Sequence, residues 1–347
     1  MTDVLIRTEG AAGRITLNRP KSLNALSHPM CLEIEAALDA WRDDPAIRIV
    51  IMDAEGEKAF CAGGDIAAMY HAGKAGDFAT ARNFWREEYR LNAKIFEYPK
   101  PIAAFLQGFV MGGGVGLGGH ASHRVVGDTS QVAMPECGIG LIPDVGGTLL
   151  LARAPGRIGT FLGLTGHRMD AADAIHAGFA DFRIPEDRWP DLIARLSEAG
   201  DTALLQDAAA PDGDSRLAEA QSWIDAHFDR PVAEAIALLA TEDHPLAAPA
   251  LKALQRNSPL SMAATRTLIA RAAEDTTSIR HALTNEYRAT WRAIETGDFL
   301  EGVRAQIIDK DRTPRWQHAA PGDVADADVA AMLAPLGDND LNWENMP

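Results

Sequence analysis

The stretch PIAAFLQGFVMGGGVGLGGHAS, residues 101–122, holds the choice between folds. PIAAFLQG, 101–108, is a short apolar run of strand character, and FVMGGGVGLGGHAS, 109–122, follows it with a helix opening unusually rich in glycine. Glycine there removes the Cβ that would hold a ligand away from the backbone, and the amides at a helix start point toward developing negative charge. Such a turn suits an oxyanion hole. Gly114, Gly116 and Gly119 also fit GxGxxG, the dinucleotide fingerprint, and the preceding strand agrees with it. The fingerprint then requires an acid closing the next strand about twenty residues on. Glu136 instead sits in a Pro/Gly segment, and no second nucleotide-binding half is evident. A dinucleotide-dependent oxidoreductase is therefore disfavoured, and the bland alternative is glycine kept for tight helix packing.

Working outward, the first half alternates apolar strand-like runs with helical patterns: VLIRTEG, GRITLNRP, RIVIMDA at 48–54, PIAAFLQG and HRVVGD at 123–128. That alternation signals an α/β core. Ser27 stands where it can cap a helix whose Met30, Ile34, Leu38 and Trp41 form one buried stripe, ended around Pro45. From about residue 186 the sequence turns Ala-rich, acidic and mostly helical, which divides the chain softly into a core over 1–185 and a helical region over 186–347. Asp298 and Glu301 have capping-box spacing, with Phe299, Val303 and Ile307 as the apolar face of a docking helix. From about 320 the sequence is acidic and weakly patterned, and no role is assigned to it.

With 347 residues, 47% hydrophobic, the chain can bury a substantial core, and its net charge of −16 argues against nonspecific binding to nucleic acid or an anionic membrane. Cys31, Cys61 and Cys137 show no CxxC pair and no zinc-like Cys/His spacing, so free thiols and no metal are expected. MTDVLIRTEG resembles neither a signal peptide nor an Arg-rich presequence, and no run of 18 apolar residues occurs. A cytoplasmic location is the expectation.

Three further segments carry candidate chemistry. AFCAGGDIAAMY, 59–70, holds a second glycine turn before a helix, and two separated turns can supply the two converging amides that one carbonyl oxygen accepts. Asp65 there suits a helix start, and Cys61, with no His near in sequence, reads as a small buried side chain. FWREEYRLNAKIFEYP, 84–99, reads as a helix with Glu88 on the apolar stripe of Phe84, Leu91 and Ile95, while Glu87 shares a solvated charged face with Arg90 and Lys94. A buried-face helix acid is more often structural, yet it becomes a pocket candidate beside other acids in apolar sequence. MPECGIGLIPDVGG, 134–147, provides two, Glu136 and Asp144, with no Lys or Arg between them. Eight residues of extended chain would separate them by roughly 26 Å, so a shared site needs the reversal that Gly138, Gly140 and Pro143 permit. Taken alone, two exposed loop acids is the simpler reading.

FCAGGDI, GFVMGGGVGL, AMPECGIGLIPDVGG and EGVRAQIIDKD occur in the order seen in the crotonase, or enoyl-CoA hydratase/isomerase, superfamily. The chain resembles its 3-hydroxyisobutyryl-CoA hydrolase branch from about residue 5 to 318, least between 186 and 250. The resemblance implies a spiral of ββα turns with a helical carboxy-terminal region, and acyl-CoA thioesters as substrates rather than a separate cofactor. It sets the thioester carbonyl between the amides of Gly64 and Gly113 and lines the coenzyme A site with Ala62, Gly64, Asp65 and Ile66. Superfamily members often form trimers or dimers of trimers, so a homo-oligomer is open here unless the carboxy-terminal half covers that surface.

Hydratases of the superfamily carry a second glutamate at the place of Gly116 and usually glycine at the place of Asp144, whereas the hydrolase branch has that aspartate and the acid matching Glu88. The resemblance thus implies hydrolysis of a short 3-hydroxyacyl-CoA, in the family a step of valine catabolism. Glu136 would attack the thioester or activate a water, and Asp144 would orient the substrate hydroxyl or that water and relay a proton. An enoyl-CoA hydratase or isomerase, and a coenzyme A binding module without catalysis, stand as alternatives.

Overall fold

The computed structural model describes residues 2–344. By packing, the chain forms two units: Met1–Gly64, Glu87–Ala133 and Arg168–Ala218 make the first, and Asp65–Arg86, Met134–His167 and Glu219–Pro347 the second. The change of sequence character near 186 falls inside the first unit, so the expected division at that residue does not coincide with a unit limit.

The first unit contains nine strands in two sheets. β1 (Val4–Glu9) and β2 (Ala12–Leu17) pair antiparallel across a tight turn, and β3 (Ile49–Ala54), β5 (Ile102–Phe105), β7 (His123–Val126) and β9 (Phe182–Arg183) add parallel in that order. β4 (Ala59–Cys61), β6 (Phe109–Met111) and β8 (Gln131–Ala133) form a second, all-parallel sheet. From β3 on, consecutive strands alternate between the sheets, each turn of chain adding one strand to each, which is the expected ββα spiral. The five runs read as strands in the sequence are β1, β2, β3, β5 and β7. One face of the larger sheet, Ile49, Ile51, Phe105 and Val125, is buried against Trp189, Leu192, Ile193 and Leu196 of the helix Trp189–Ala199. Strands covered in this way read as continuous apolar runs, as RIVIMDA does.

α1 (His28–Arg42) buries Met30, Ile34, Leu38 and Trp41 as its stripe requires, with Ser27 at the N-cap position but making no side-chain cap bond. α2 (Ile66–Lys74) follows Asp65, which likewise makes no side-chain cap bond. On α3 (Phe78–Phe96), Phe84, Glu88, Leu91 and Ile95 are all buried, Glu88 at 2% exposure.

The other face of that helix corrects the sequence reading. Arg90 and Lys94 are not part of a solvated charge row, because Lys94 is only 6% exposed and reaches Glu35 at 3.0 Å and Asp39 at 2.5 Å on α1. Arg90 donates to both oxygens of Glu35, its Nε at 2.7 Å, and also pairs with Glu87. The partners come from another helix, so spacing along α3 alone points the wrong way. Burial pushes the Glu35 carboxyl up, and Arg90 and Lys94 more than offset it, leaving Glu35 below its ordinary range.

The first unit also holds the short helix α4 (Gly113–Gly118); in the second unit, the helix Pro259–Glu274 packs on α5 (Gly147–Arg153) and on the helix Ile279–Ala293. At Phe299–Val303, Phe299 and Val303 are buried as expected, but Ile307 is 39% exposed. A π-helical turn over Arg304–Ile308 widens the repeat there and rotates Ile307 off the apolar face. Asp298 does not close a capping box; it accepts from Ser258 Oγ at 2.6 Å and from the Gln317 amide at 3.0 Å. The acidic tail is tied down as well, through Arg288 with Asp340 and Arg292 with the Ala334 carbonyl, and it buries Met332, Leu333 and Leu341.

Removing one member of a buried ion-pair group strands the others in a poor solvent. Lys94→Ala is expected to destabilise the protein by about 2 kcal/mol, less than a fully broken buried pair because Arg90 still faces Glu35. Urea unfolding measures it, and a change within about 0.5 kcal/mol of zero contradicts the structural role.

Candidate active site

Parallel pairing of β4 with β6 sets the ends of the two strands side by side, and each runs into a glycine turn. After Cys61, Gly63 takes a positive φ of +114°, and Gly64 bridges to Leu26. After Met111, Gly112 takes a φ of +50° and α4 begins at Gly113. The turns approach so closely that side chains are excluded. A Cβ on Gly113 would lie 2.7 Å from Glu88 Oε1 and 3.4 Å from the Gly64 nitrogen, and one on Gly114 would lie 2.1 Å from the Cys61 carbonyl oxygen. The first unit therefore brings together three residues singled out in the sequence: Gly64, Gly113 and Glu88. The bland reading of the glycines as packing devices holds for Gly114, whose hydrogen faces backbone. Gly116 lies buried in α4 with no side chain to offer.

In the second unit, Glu136 begins a single 3₁₀ turn, Glu136–Ile139, between Pro135 and the left-handed Gly140, and its carbonyl accepts the Leu141 amide at 3.1 Å. Glu136 is 5% exposed and Asp144 4%, which overturns the simpler reading of two exposed loop acids. The chain reverses through residues in left-handed conformation, Gly140 at φ +71°, Val145 at +55° and Gly146 at +78°. Val145 is the exceptional one, since a β-branched residue in that region costs on the order of 1–3 kcal/mol and persists only where its surroundings enforce it.

What enforces it is an acid the sequence reading did not single out. Glu286, fully buried on the helix Ile279–Ala293, accepts the amides of Gly146 at 2.7 Å and Thr148 at 3.0 Å, together with the Thr148 hydroxyl. It caps α5 from another helix. Burial pushes the Glu286 carboxyl up to about 8; hydrogen bonds from Thr148 and Gly146 oppose that, and the charge of Asp144 reinforces it. The signal for it was available: Ile279, Leu283, Glu286 and Thr290 recur at i, i+4, i+7 and i+11, the spacing that revealed Glu88.

Of the residues matched to the coenzyme A site, Ala62 and Gly64 are half-buried in the first unit, and Asp65 and Ile66 are half-buried in the second. Among the described residues no group of three His, Cys, Asp or Glu is arranged to hold a metal ion, and no helix is long and apolar enough to cross a membrane.

The family model for enoyl-CoA hydratase/isomerase matches residues 12–333, and the chain belongs to that family. It is 41% identical to the mitochondrial 3-hydroxyisobutyryl-CoA hydrolase of Gallus gallus over 351 aligned positions, covering 98% of this chain and 90% of the relative. Two solved structures are also similar. An enoyl-CoA hydratase from Rhodobacter sphaeroides 2.4.1 shares 56% identity with a TM-score of 0.93, covering 98% of this chain and all of that one. A carnitinyl-CoA dehydratase from Mycobacterium thermoresistibile shares 44% identity with a TM-score of 0.94, covering 99% and 100%.

The thiols are inert by contrast with the acids. Burial pushes Cys61 up to about 12, and the nearby Glu88 charge adds to it; burial also takes Cys137 to about 12, with Glu136 adding. Cys31 is likewise buried and pushed well up. The folded protein at pH 8 should therefore take up no alkylating reagent within the minutes that a free thiol of ordinary pKa needs. Mass spectrometry checks this, and rapid adducts at Cys61 would reopen a thiol nucleophile.

Proposed function

We propose that this protein hydrolyses short 3-hydroxyacyl-CoA thioesters, with 3-hydroxyisobutyryl-CoA as the principal substrate, releasing the free hydroxy acid and coenzyme A. The observation that carries the reading is the acid set: Glu88, Glu136 and Asp144 are all buried, and position 116 is a glycine. Hydration of a double bond needs a second proton-moving group where Gly116 offers none, whereas thioester hydrolysis needs an oxyanion hole, one acid to drive attack and one to handle protons. The similarity to a 3-hydroxyisobutyryl-CoA hydrolase, covering 98% of this chain, supports the same choice.

In this reading the thioester carbonyl oxygen accepts from the amides of Gly64 and Gly113. A methyl at 113 would lie 2.7 Å from Glu88 Oε1, so the Glu88 carboxyl keeps its place beside the Gly113 turn only with glycine there. Two routes are compatible with these groups. Glu136 attacks the carbonyl carbon, thiolate leaves with a proton, and water then cleaves the mixed anhydride; or Glu136 takes a proton from water, whose oxygen attacks directly. Both consume one water and yield one carboxylic acid and one thiol. Asp144 orients the substrate hydroxyl or the attacking water and relays the proton, and Glu88 binds on the acyl side. Ala62, Gly64, Asp65 and Ile66 line the coenzyme A path. In metabolism the step would belong to valine breakdown.

A second reading has its own support, because the two similar solved structures are of an enoyl-CoA hydratase and a carnitinyl-CoA dehydratase. One experiment separates them. The purified protein should release free thiol from 3-hydroxyisobutyryl-CoA and leave crotonyl-CoA unhydrated, and Glu136→Gln should lower thiol release by at least about 10²-fold, the scale of losing one preorganised oxyanion donor. Hydration of crotonyl-CoA without thiol release establishes the hydratase reading; binding of both thioesters with neither reaction establishes a binding module.

A further inference from the structure

Glu286 is buried, negatively charged or proton-bearing, and used by none of the steps above. The residues it grips come directly after Asp144. Its two oxygens take the amides of Gly146 and Thr148 and the Thr148 hydroxyl, while the Gly147 amide returns to the Asp144 carbonyl at 2.7 Å. Between these bonds stands Val145, at a φ of +55° that its branched side chain disfavours. A turn with such a residue does not hold itself: relaxation of Val145 toward an ordinary φ would rotate the peptide that follows Asp144 and carry the acid with it. The Gly147–Asp144 bond opposes that rotation from within the turn, and Glu286 opposes it from outside with three bonds.

We propose that Glu286 is a positioning residue that holds Asp144 in its working orientation by clamping the Val145–Thr148 turn. The inference rests on the reading of Asp144 as a group of the hydrolytic reaction. The competing account is that Glu286 only caps α5 for stability. The two differ in how the loss of Glu286 combines with the loss of Asp144. A cap contributes whatever stands at 144; a clamp contributes through Asp144 alone.

The test is a mutant cycle on the full chain with 3-hydroxyisobutyryl-CoA, following free thiol. Glu286→Gln keeps the shape but turns an amide NH₂ toward backbone N–H groups. It should lower kcat by about 10- to 100-fold with KM within about threefold, the pattern of a misplaced reacting group. In a chain already carrying Asp144→Asn, the same change should cost less than about twofold of the remaining turnover. Adding Val145→Gly to Glu286→Gln should restore at least about threefold, because glycine holds a positive φ without strain. Thr148→Val removes one donor while keeping the volume, and should show a smaller loss with the same dependence on Asp144; it carries the test if Glu286→Gln does not fold. An equal fractional loss from Glu286→Gln with and without Asp144, or kcat within twofold of the parent, overturns the proposal. Unchanged turnover in Asp144→Asn alone overturns the reading of Asp144 instead, so the two failures are distinct.

Discussion

Two glycine turns approach until no Cβ fits between them, and the rest of the site depends on that closeness. It is produced by pairing β4 with β6, two strands of three residues each, in parallel. Parallel pairing puts both strand ends on the same edge, and ligands of parallel α/β sheets characteristically bind at such ends. The spiral supplies the pairing: each ββα turn drops one strand into the larger sheet and one into the smaller. The larger sheet and its helix cover provide the buried apolar area. The smaller sheet, itself buried at Phe60, Cys61, Val110 and Val132, provides the geometry. Gly113 beside Gly64 and Glu88 is the result, and a side chain at 113 would displace the Glu88 carboxyl.

Acids in this protein are buried in two ways, and the contrast separates structure from chemistry. Glu35 is met by Arg90 and Lys94, and its carboxyl lies below its ordinary range as a result. Glu286 is met by the amides of Gly146 and Thr148 and the Thr148 hydroxyl, and burial takes it up to about 8. Cations hold an acid in its ionised form, whereas at Glu286 the hydrogen bonds fix the carboxyl in position while burial outweighs them and favours its protonated form. The second arrangement suits the vicinity of a reaction whose acids must hold and release protons.

Much of the fold was legible. The five longer strand runs and the buried stripe of α1 follow from periodicity, and Glu88 stood out because an acid on an apolar helix stripe needs a reason. β4, β6 and β8 were not legible as strands, since three residues show no alternation and their pairing joins residues 22 to 50 apart. The burial of Glu136 and Asp144 was also hidden, because acids between glycines and prolines ordinarily lie in exposed loops; only the left-handed reversals at 140, 145 and 146 turn this segment inward. Lys94 was misjudged because its partners sit on α1, and Ile307 because a π-helical turn breaks the period that predicted its face. Glu286 obeys the rule that revealed Glu88, and it shows that the same stripe argument applies as well far from the recognisable motifs as within them.

The central claim, that backbone amides at Gly64 and Gly113 polarise a thioester carbonyl, is tested most directly by infrared difference spectroscopy. The measurement uses 3-hydroxyisobutyryl-CoA labelled with ¹³C at the thioester carbonyl, bound to the slow Glu136→Gln protein. Two converging hydrogen bonds weaken the C=O bond, so the account predicts a carbonyl stretch displaced to lower frequency than the same thioester shows in water. A bound thioester whose carbonyl absorbs at or above its frequency in water would contradict it.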